Sequence, residues 1–491
     1  MQFQAPPVDL TVLAQPLLVM LWAMLVLFVD LFTSDRRVLA TLSLVGLAAS
    51  AAAGALTWGY APAQTPFFNM VVLDQFGTIV NWILVGVTAL TIMISFDSMP
   101  RQGMVRGEFY ALLLFATSGM MLLVQANDLV MIFVGVELLS IGLYVLTGFG
   151  VPNVKSGEAA MKYLLLGAFA AGFLVYGIAL IYGFTGKTSL PEIGAELSRL
   201  QLGGANLRDP LLLAGLGLVS IALGFKVAMV PFHAWTPDVY EGAPTPVTGY
   251  MSVATKGAAF VALFRVLSVA FPALQSEWQF IFSILAALTM ALGNIVAVAQ
   301  TNIKRMLAYS SIAHAGYILL SVLAGSALGQ SSFLVYFLSY ALTNLGAFAV
   351  LIALENRGFA SFELNDLRGL ARRHPLLAGA MMVFMFSLAG VPPTAGFFGK
   401  FAVFQAAWAA NLDWLAVIGV LTSVVSAFFY LRVIVLMFMR DENTEWDERP
   451  VFATTPLLAG VAIAAIGVIG LGVAIAPLLD AVRTSVIAAL P

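Results

Sequence analysis

Apolar residues in this chain gather into long unbroken runs joined by short polar connections, with no strict two-residue alternation. Fourteen runs can be marked: 12–32, 38–58, 71–96, 108–125, 128–149, 159–184, 211–230, 246–270, 277–299, 305–325, 332–355, 375–408, 412–439 and 452–480. Most reach the roughly 20 residues that a helix needs to cross a hydrocarbon core. The missing alternation argues against an outer-membrane barrel. The pattern predicts an all-α polytopic membrane protein with about 14 transmembrane helices.

Breaks interrupt the seventh and twelfth runs. Residues 225–256 read FKVAMVPFHAWTPDVYEGAPTPVTGYMSVATK, in which Pro231 ends one apolar segment and Pro237, Pro244 and Pro246 delay the next. The run 375–408 is too long for one straight crossing, and AGVPPTAGFFGKF supplies its break at Pro392 and Pro393. Lipid offers no partner to freed backbone groups, so such breaks belong where protein or a wet cavity surrounds them. Broken helices five crossings apart predict an internal repeat, and an odd number of crossings per copy makes the copies inverted. The expected division is three helices in 1–107, five-helix repeats in 108–270 and 271–440, and a last helix in 441–491.

Charge placement adds orientation. Assigning connections alternately puts thirteen of the 23 basic residues on one face, among them Arg36, Arg37, Lys155, Lys304, Arg305 and Arg440, against four on the other: Lys187, Arg199, Arg208 and Arg483. The positive-inside rule makes the first face cytoplasmic and both termini external. The N-terminus lacks the basic stretch of a secretory signal, so the first run is expected to stay as a helix. Residues 185–210 are polar enough for a small surface helix, with a plain connector as the alternative.

Hydrophobic residues make up 61% of the 491 positions and charged ones 10%, which makes each ionisable group at helix depth conspicuous. A charge at a helix centre costs about 2.5–3.5 kcal/mol on insertion scales. Glu137, Lys226, Lys256, His314 and Lys400 all lie within or beside the runs and are candidate proton-transfer groups. Lysine suits the task because burial lowers its pKa and a nearby carboxylate raises it again. A Glu137–Lys226 ion pair that only locks helices is the plain alternative for those two, snorkelling for Lys256 and packing for His314. Lys162 is a candidate uptake group or a snorkelling lysine; Arg265 and Arg432 read as structural, and His233 as a partner for a carbonyl freed at Pro231. Cysteine is absent and the three histidines lie far apart, which argues against disulfides, thiolate-held clusters and a metal site. No glycine-rich dinucleotide fingerprint follows a strand.

VELLSIGLYVLTGF, EGAPTPVTGYMSVATKGAAF, NIKRMLAYSSIAHAGY and AGVPPTAGFFGKF resemble, in that order, the antiporter-like membrane subunits of respiratory complex I. FHAWTPDVYEGAPTPV is most similar to the family's subunit N branch and to a relative in the photosynthetic complex. The resemblance implies fourteen helices with inverted five-helix repeats. It matches Glu137 to the family's glutamate on helix five, Lys226 to its partner lysine on helix seven, Lys256 to the central lysine on helix eight and Lys400 to the terminal lysine on helix twelve. It also implies that NADH, FMN, iron–sulfur clusters and quinone are handled by partner subunits, with no redox centre here. The expected setting is a bacterial-type plasma membrane, beside another antiporter-like subunit and small helical subunits. A sodium/proton antiporter subunit, a ferredoxin-fed relative and an independent solute carrier are the rival readings.

Overall fold

A computed structural model describes residues 8–33, 35–62, 66–101, 107–150, 153–355, 362–440 and 454–475. Arg106, Arg357, Arg449 and Arg483, which entered the charge comparison, lie outside the described residues. The first three crossings are α1 (Ala14–Asp30), α2 (Arg36–Leu56) and α3 (Gln75–Arg101). Next come α4 (Glu108–Gln125), α5 (Leu129–Thr147), α6 (Val154–Thr185), the surface helix α7 (Leu190–Leu202), α8 (Pro210–Val227), the short α9 (Trp235–Gly242) and α10 (Thr245–Arg265). The chain continues through α11 (Gln275–Val298), α12 (Ile303–Ala324), α13 (Ala327–Glu355) and the one-turn α14 (Leu370–Arg373). It closes with α15 (Pro375–Ala389), α16 (Ala395–Ala409), α17 (Asp413–Met439) and α18 (Thr455–Val473).

Among the described residues, 13 helices are long and apolar enough to cross a membrane. The twelfth run is not one of them, because it forms two helices of 15 residues each, α15 and α16, parted where the prolines predicted a break. The stretch 185–210 resolves in favour of a helix: α7 turns Leu190, Ile193 and Leu197 inward and leaves its charged side out. No strand forms among the described residues, but three isolated bridges tie connections together. Asp128 meets Ser189 and Val71 meets Ala126 at one end of the bundle, while Asn302 meets Glu363 at the other.

Burial sorts the helices into centre and periphery. In the most apolar stretches of α10 and α12, 94% of residues are buried, against 28% in α6 and 33% in α18. A helix covered on all sides needs no amphipathic stripe, and α10 accordingly buries every residue from Thr245 to Arg265. The centre therefore holds the helices that carry Lys256 and His314. Arg265, fully buried, donates to Asp74 on both carboxylate oxygens (3.0 and 2.8 Å) and through Nε to the Val124 carbonyl (2.9 Å). It locks the end of α10 to the start of α3 and the end of α4. Arg432 likewise covers carbonyls left open at the end of α11, those of Val298 and Gln300.

Candidate functional site

The first break begins where α8 runs out. Ala228 takes the left-handed conformation (φ 61°), and the chain turns through Pro231 into α9. The freed groups find partners: Val230 N–H donates to Thr289 Oγ1 (3.0 Å) on α11, and the Trp235 indole donates back to the Phe225 carbonyl (2.9 Å). The His233 imidazole interacts with the Pro231 backbone, as expected for a partner to a carbonyl freed at the break, while its Nδ1 is buried without a hydrogen-bond partner. Pro231 itself faces outward. Lys226 sits in the last turn of α8, where a cation complements the helix dipole. Its Nζ donates to Ser140 Oγ on α5 (2.7 Å) and lies over the rings of Tyr144 (5.6 Å) and Tyr163 (5.3 Å).

Glu137 is not the hydrogen-bond partner of Lys226. It lies one turn before Ser140 on α5, half-buried, on a side of the helix flanked by exposed Val134 and Ile141. Ser140, one turn on, takes the hydrogen bond of the lysine, while Glu137, a neighbour on the same side of the helix, lies less covered and within electrostatic reach of Lys226.

Lys256 is buried at the middle of α10 and donates to both the carbonyl (2.8 Å) and the hydroxyl (2.6 Å) of Ser311 on α12. One turn further along α12, His314 has both ring nitrogens engaged: Nδ1 is 2.6 Å from Tyr336 Oη and Nε2 is 3.1 Å from Tyr430 Oη. Tyr430 also hydrogen-bonds Ser310. The Tyr340 ring lies against the imidazole with centroids 4.9 Å apart.

The second break uses its lysine differently. Here α15 ends in Gly390 at φ 86°, a conformation that a glycine adopts without strain, and the N–H groups of Gly390 and Val391 both return to the Phe386 carbonyl at 3.0 Å. Pro392 and Pro393 follow, exposed, with the Pro393 carbonyl close against Gly472 of α18. Lys400, one turn into α16, reaches back to the Ala389 carbonyl (3.1 Å) and donates to Ser423 Oγ on α17 (2.7 Å). Thus the first lysine ends the half-helix before its break, and the second caps that half-helix from across the gap.

Aromatic rings divide this polar line. Between Lys226 and Lys256 stand Tyr163, Trp235 stacked on it at 4.8 Å, and Tyr240, whose ring lies 5.9 Å from Lys256 Nζ. Between His314 and Lys400 stands Tyr317, with its ring 5.8 Å from the imidazole and 5.1 Å from Lys400 Nζ.

Residues 126–426 match the transmembrane family described as NADH:quinone oxidoreductase/Mrp antiporter. The chain belongs to this family. It is 68% identical to NADH-quinone oxidoreductase subunit N 1 of Herpetosiphon aurantiacus, over 96% of this chain and 95% of that protein. It is 52% identical to subunit N of Chloroflexus aggregans, over 98% of both. A chain of respiratory complex I from Thermus thermophilus, solved with bound aureothin, superposes with a TM-score of 0.80 at 35% identity, covering 95% of this chain and 99% of that one. A chain of the Mrp complex from Dietzia superposes equally well (TM-score 0.82, 96% of both chains) at 23% identity, a likeness of fold.

In this antiporter-family chain, Lys162 lies apart from the buried line. It pairs with Glu158 and Asp238, both at 2.8 Å, in an ionic cluster at one end of the bundle. Arg305 joins Asp238 (2.8 Å) to Glu241 (3.0 Å), and Lys155 also binds Glu241 (3.0 Å). The cluster fastens α9 to α6 and α12. Lys304, buried beside it, donates to the Ala243 carbonyl (2.7 Å). Nothing in the sequence pattern singled out Ser140, Ser423, Tyr336 and Tyr430, the partners of Lys226, Lys400 and His314.

Proposed function

We propose that this chain is a proton-translocating membrane subunit of an NADH-quinone oxidoreductase, moving H⁺ through Glu137, Lys226, Lys256, His314 and Lys400. The carrying observation is that Lys226, Lys256 and Lys400 are buried at helix depth on serine hydroxyls, with no carboxylate ion pair among the described residues. A lysine that merely clamped helices would be held by an acid, and a permanent buried charge would be costly. On a hydroxyl, a lysine can load and unload with little rearrangement. Glu137, near Lys226 yet turned outward, is placed to bias that lysine when a neighbouring subunit changes its surroundings. The aromatic partitions make transfer conditional on movement or hydration, as coupling to a distant reaction requires.

Electrons pass from NADH through FMN and iron–sulfur clusters to quinone in partner chains. The chain sits in a bacterial plasma membrane with both termini external, beside another antiporter-like subunit and small helical subunits, and its two five-helix repeats, 108–270 and 271–440, are inverted copies. Prolines 231, 392 and 393 keep the two breaks open. The identities of 68% and 52% to subunits N, against 23% to the Mrp chain, favour this over a sodium/proton antiporter.

The test is the ratio of protons moved to electrons transferred in assembled enzyme carrying Lys226→Ala, Lys256→Ala or Glu137→Ala. Impaired pumping is expected in all three, with flavin and iron–sulfur proteins copurifying. A normal ratio throughout would refute the relay, and copurification without redox proteins would favour the antiporter.

A further inference from the structure

The two breaks begin alike and part at one residue. In the first, Ala228 is left-handed (φ 61°) and the N–H of Met229 returns to the Gly224 carbonyl (2.9 Å); in the second, Gly390 is left-handed (φ 86°) and the N–H of Val391 returns to the Phe386 carbonyl (3.0 Å). The half-helices therefore close with the same turn, and the residues that follow correspond: Val230 to Pro392 and Pro231 to Pro393. Proline has no N–H, so the second break frees no amide at this position. Val230 does. It is buried, no backbone carbonyl among the described residues accepts its N–H, and its partner is Thr289 Oγ1 on α11 at 3.0 Å. Thr289 is fully buried and gives its own proton to the Leu285 carbonyl (2.6 Å), which leaves its oxygen lone pairs for the incoming amide.

We propose that Thr289 is a positioning residue for Lys226: its hydroxyl pins the Val230 amide, fixes the point where α8 ends, and thereby holds the Lys226 ammonium on Ser140. The inference rests on the lysine relay proposed above and adds what keeps its first lysine in place. Without the pin, a buried N–H has no acceptor, and the segment from Ala228 to Pro231 must shift to find one. Lys226 lies in the last turn of α8, so its Nζ, 2.7 Å from Ser140 Oγ, moves with that segment. The second break needs no counterpart, because Pro392 offers no donor and Lys400 stands beyond the gap on α16. The pin also crosses the proposed boundary between the repeats: Thr289 belongs to 271–440 and Val230 to 108–270, so a displacement of α11 is carried to the lysine of the other repeat.

The test is a double-mutant cycle between positions 230 and 289 in the assembled enzyme in sealed vesicles, read as protons moved per electron, with Lys226→Ala alongside. Thr289→Val keeps the shape and removes the acceptor, and pumping is expected to fall toward the level of Lys226→Ala. Thr289→Ser keeps the oxygen and should pump as wild type. Val230→Pro copies the second break and removes the donor, so by itself it should pump as wild type, and combined with Thr289→Val it should restore what that substitution lost. A packing defect at Thr289 would not be repaired by a proline at the break. Wild-type pumping in Thr289→Val beside an impaired Lys226→Ala overturns the pin, as does a double variant no better than Thr289→Val alone. Wild-type pumping in Lys226→Ala overturns the relay beneath it. Should Thr289→Val fail to assemble, the cycle is read on a native gel: the double variant is expected to assemble and pump, and its failure to do so overturns the proposal.

Discussion

At the scale of single residues, each of the buried lysines 226, 256 and 400 is paired with a serine hydroxyl. Ser140 is the hydrogen-bond acceptor for Lys226, and hydrogen bonds to charged groups contribute about 1.5–3 kcal/mol. Ser140→Ala should leave assembly intact but deprive Lys226 of its hydrogen-bond partner and slow pumping, whereas Ser140→Thr should restore it; proton uptake by sealed vesicles at matched NADH oxidation reads the difference. The lysines were legible in the sequence because a charge within an apolar run stands out against its surroundings. Ser140, Ser423, Tyr336 and Tyr430 were not, because hydroxyls are common and inexpensive in membrane helices, and only packing shows which of them face a lysine or a histidine. Glu137 shows the opposite limit. Its type and depth were readable, but its turn toward the periphery depends on which side of α5 the other helices cover.

At the scale of elements, the breaks do the positioning. Prolines predicted both, and the structure adds how each is sealed. Near the second, a Cβ on Gly396 would lie 1.9 Å from the Ser387 carbonyl, a contact that no rotamer relieves. Gly396→Ala should force α16 away from α15 and carry Lys400 off the Ala389 carbonyl. The expected outcome is a loss of assembled subunit, or a Lys400 environment altered enough to change pumping, read by native gel and proton uptake. The first break is held differently, through the ionic cluster at Asp238 and Glu241. Exposed pairs are worth about 0–1 kcal/mol singly, but this one joins several charges and so gains from being a network. Asp238→Asn should raise amide hydrogen exchange in α9 while sparing α10, and wild-type α9 should loosen in the same way at high salt. That cluster also gives Lys162 partners the sequence could not assign.

At the scale of the whole molecule, the run pattern announced nearly every crossing, since length and apolarity alone decide what spans a bilayer. It could not rank them. That α10, α12 and α13 form the centre follows from contacts between segments distant in sequence, and a helix covered on all sides looks, residue by residue, much like one facing lipid. Orientation, read from thirteen basic residues against four, is open to direct measurement because the chain has no cysteine to give background labelling. With Lys187→Cys or Lys155→Cys as the lone thiol, a membrane-impermeant maleimide applied to intact cells should modify the first and spare the second; the reverse pattern would invert the topology.

Glu137, half-covered on the rim of α5 among residues that face outward, bears on the life of the chain before it meets its neighbours. A newly made copy drifting by itself would have to neutralise that acid or draw water in beside it, at about 2.5–3.5 kcal/mol if it reaches the bilayer centre. Such a blemish is the sort of signal by which unpartnered membrane proteins are recognised and removed, so the abundance of this chain in a cell should track the supply of its companions rather than its own rate of synthesis.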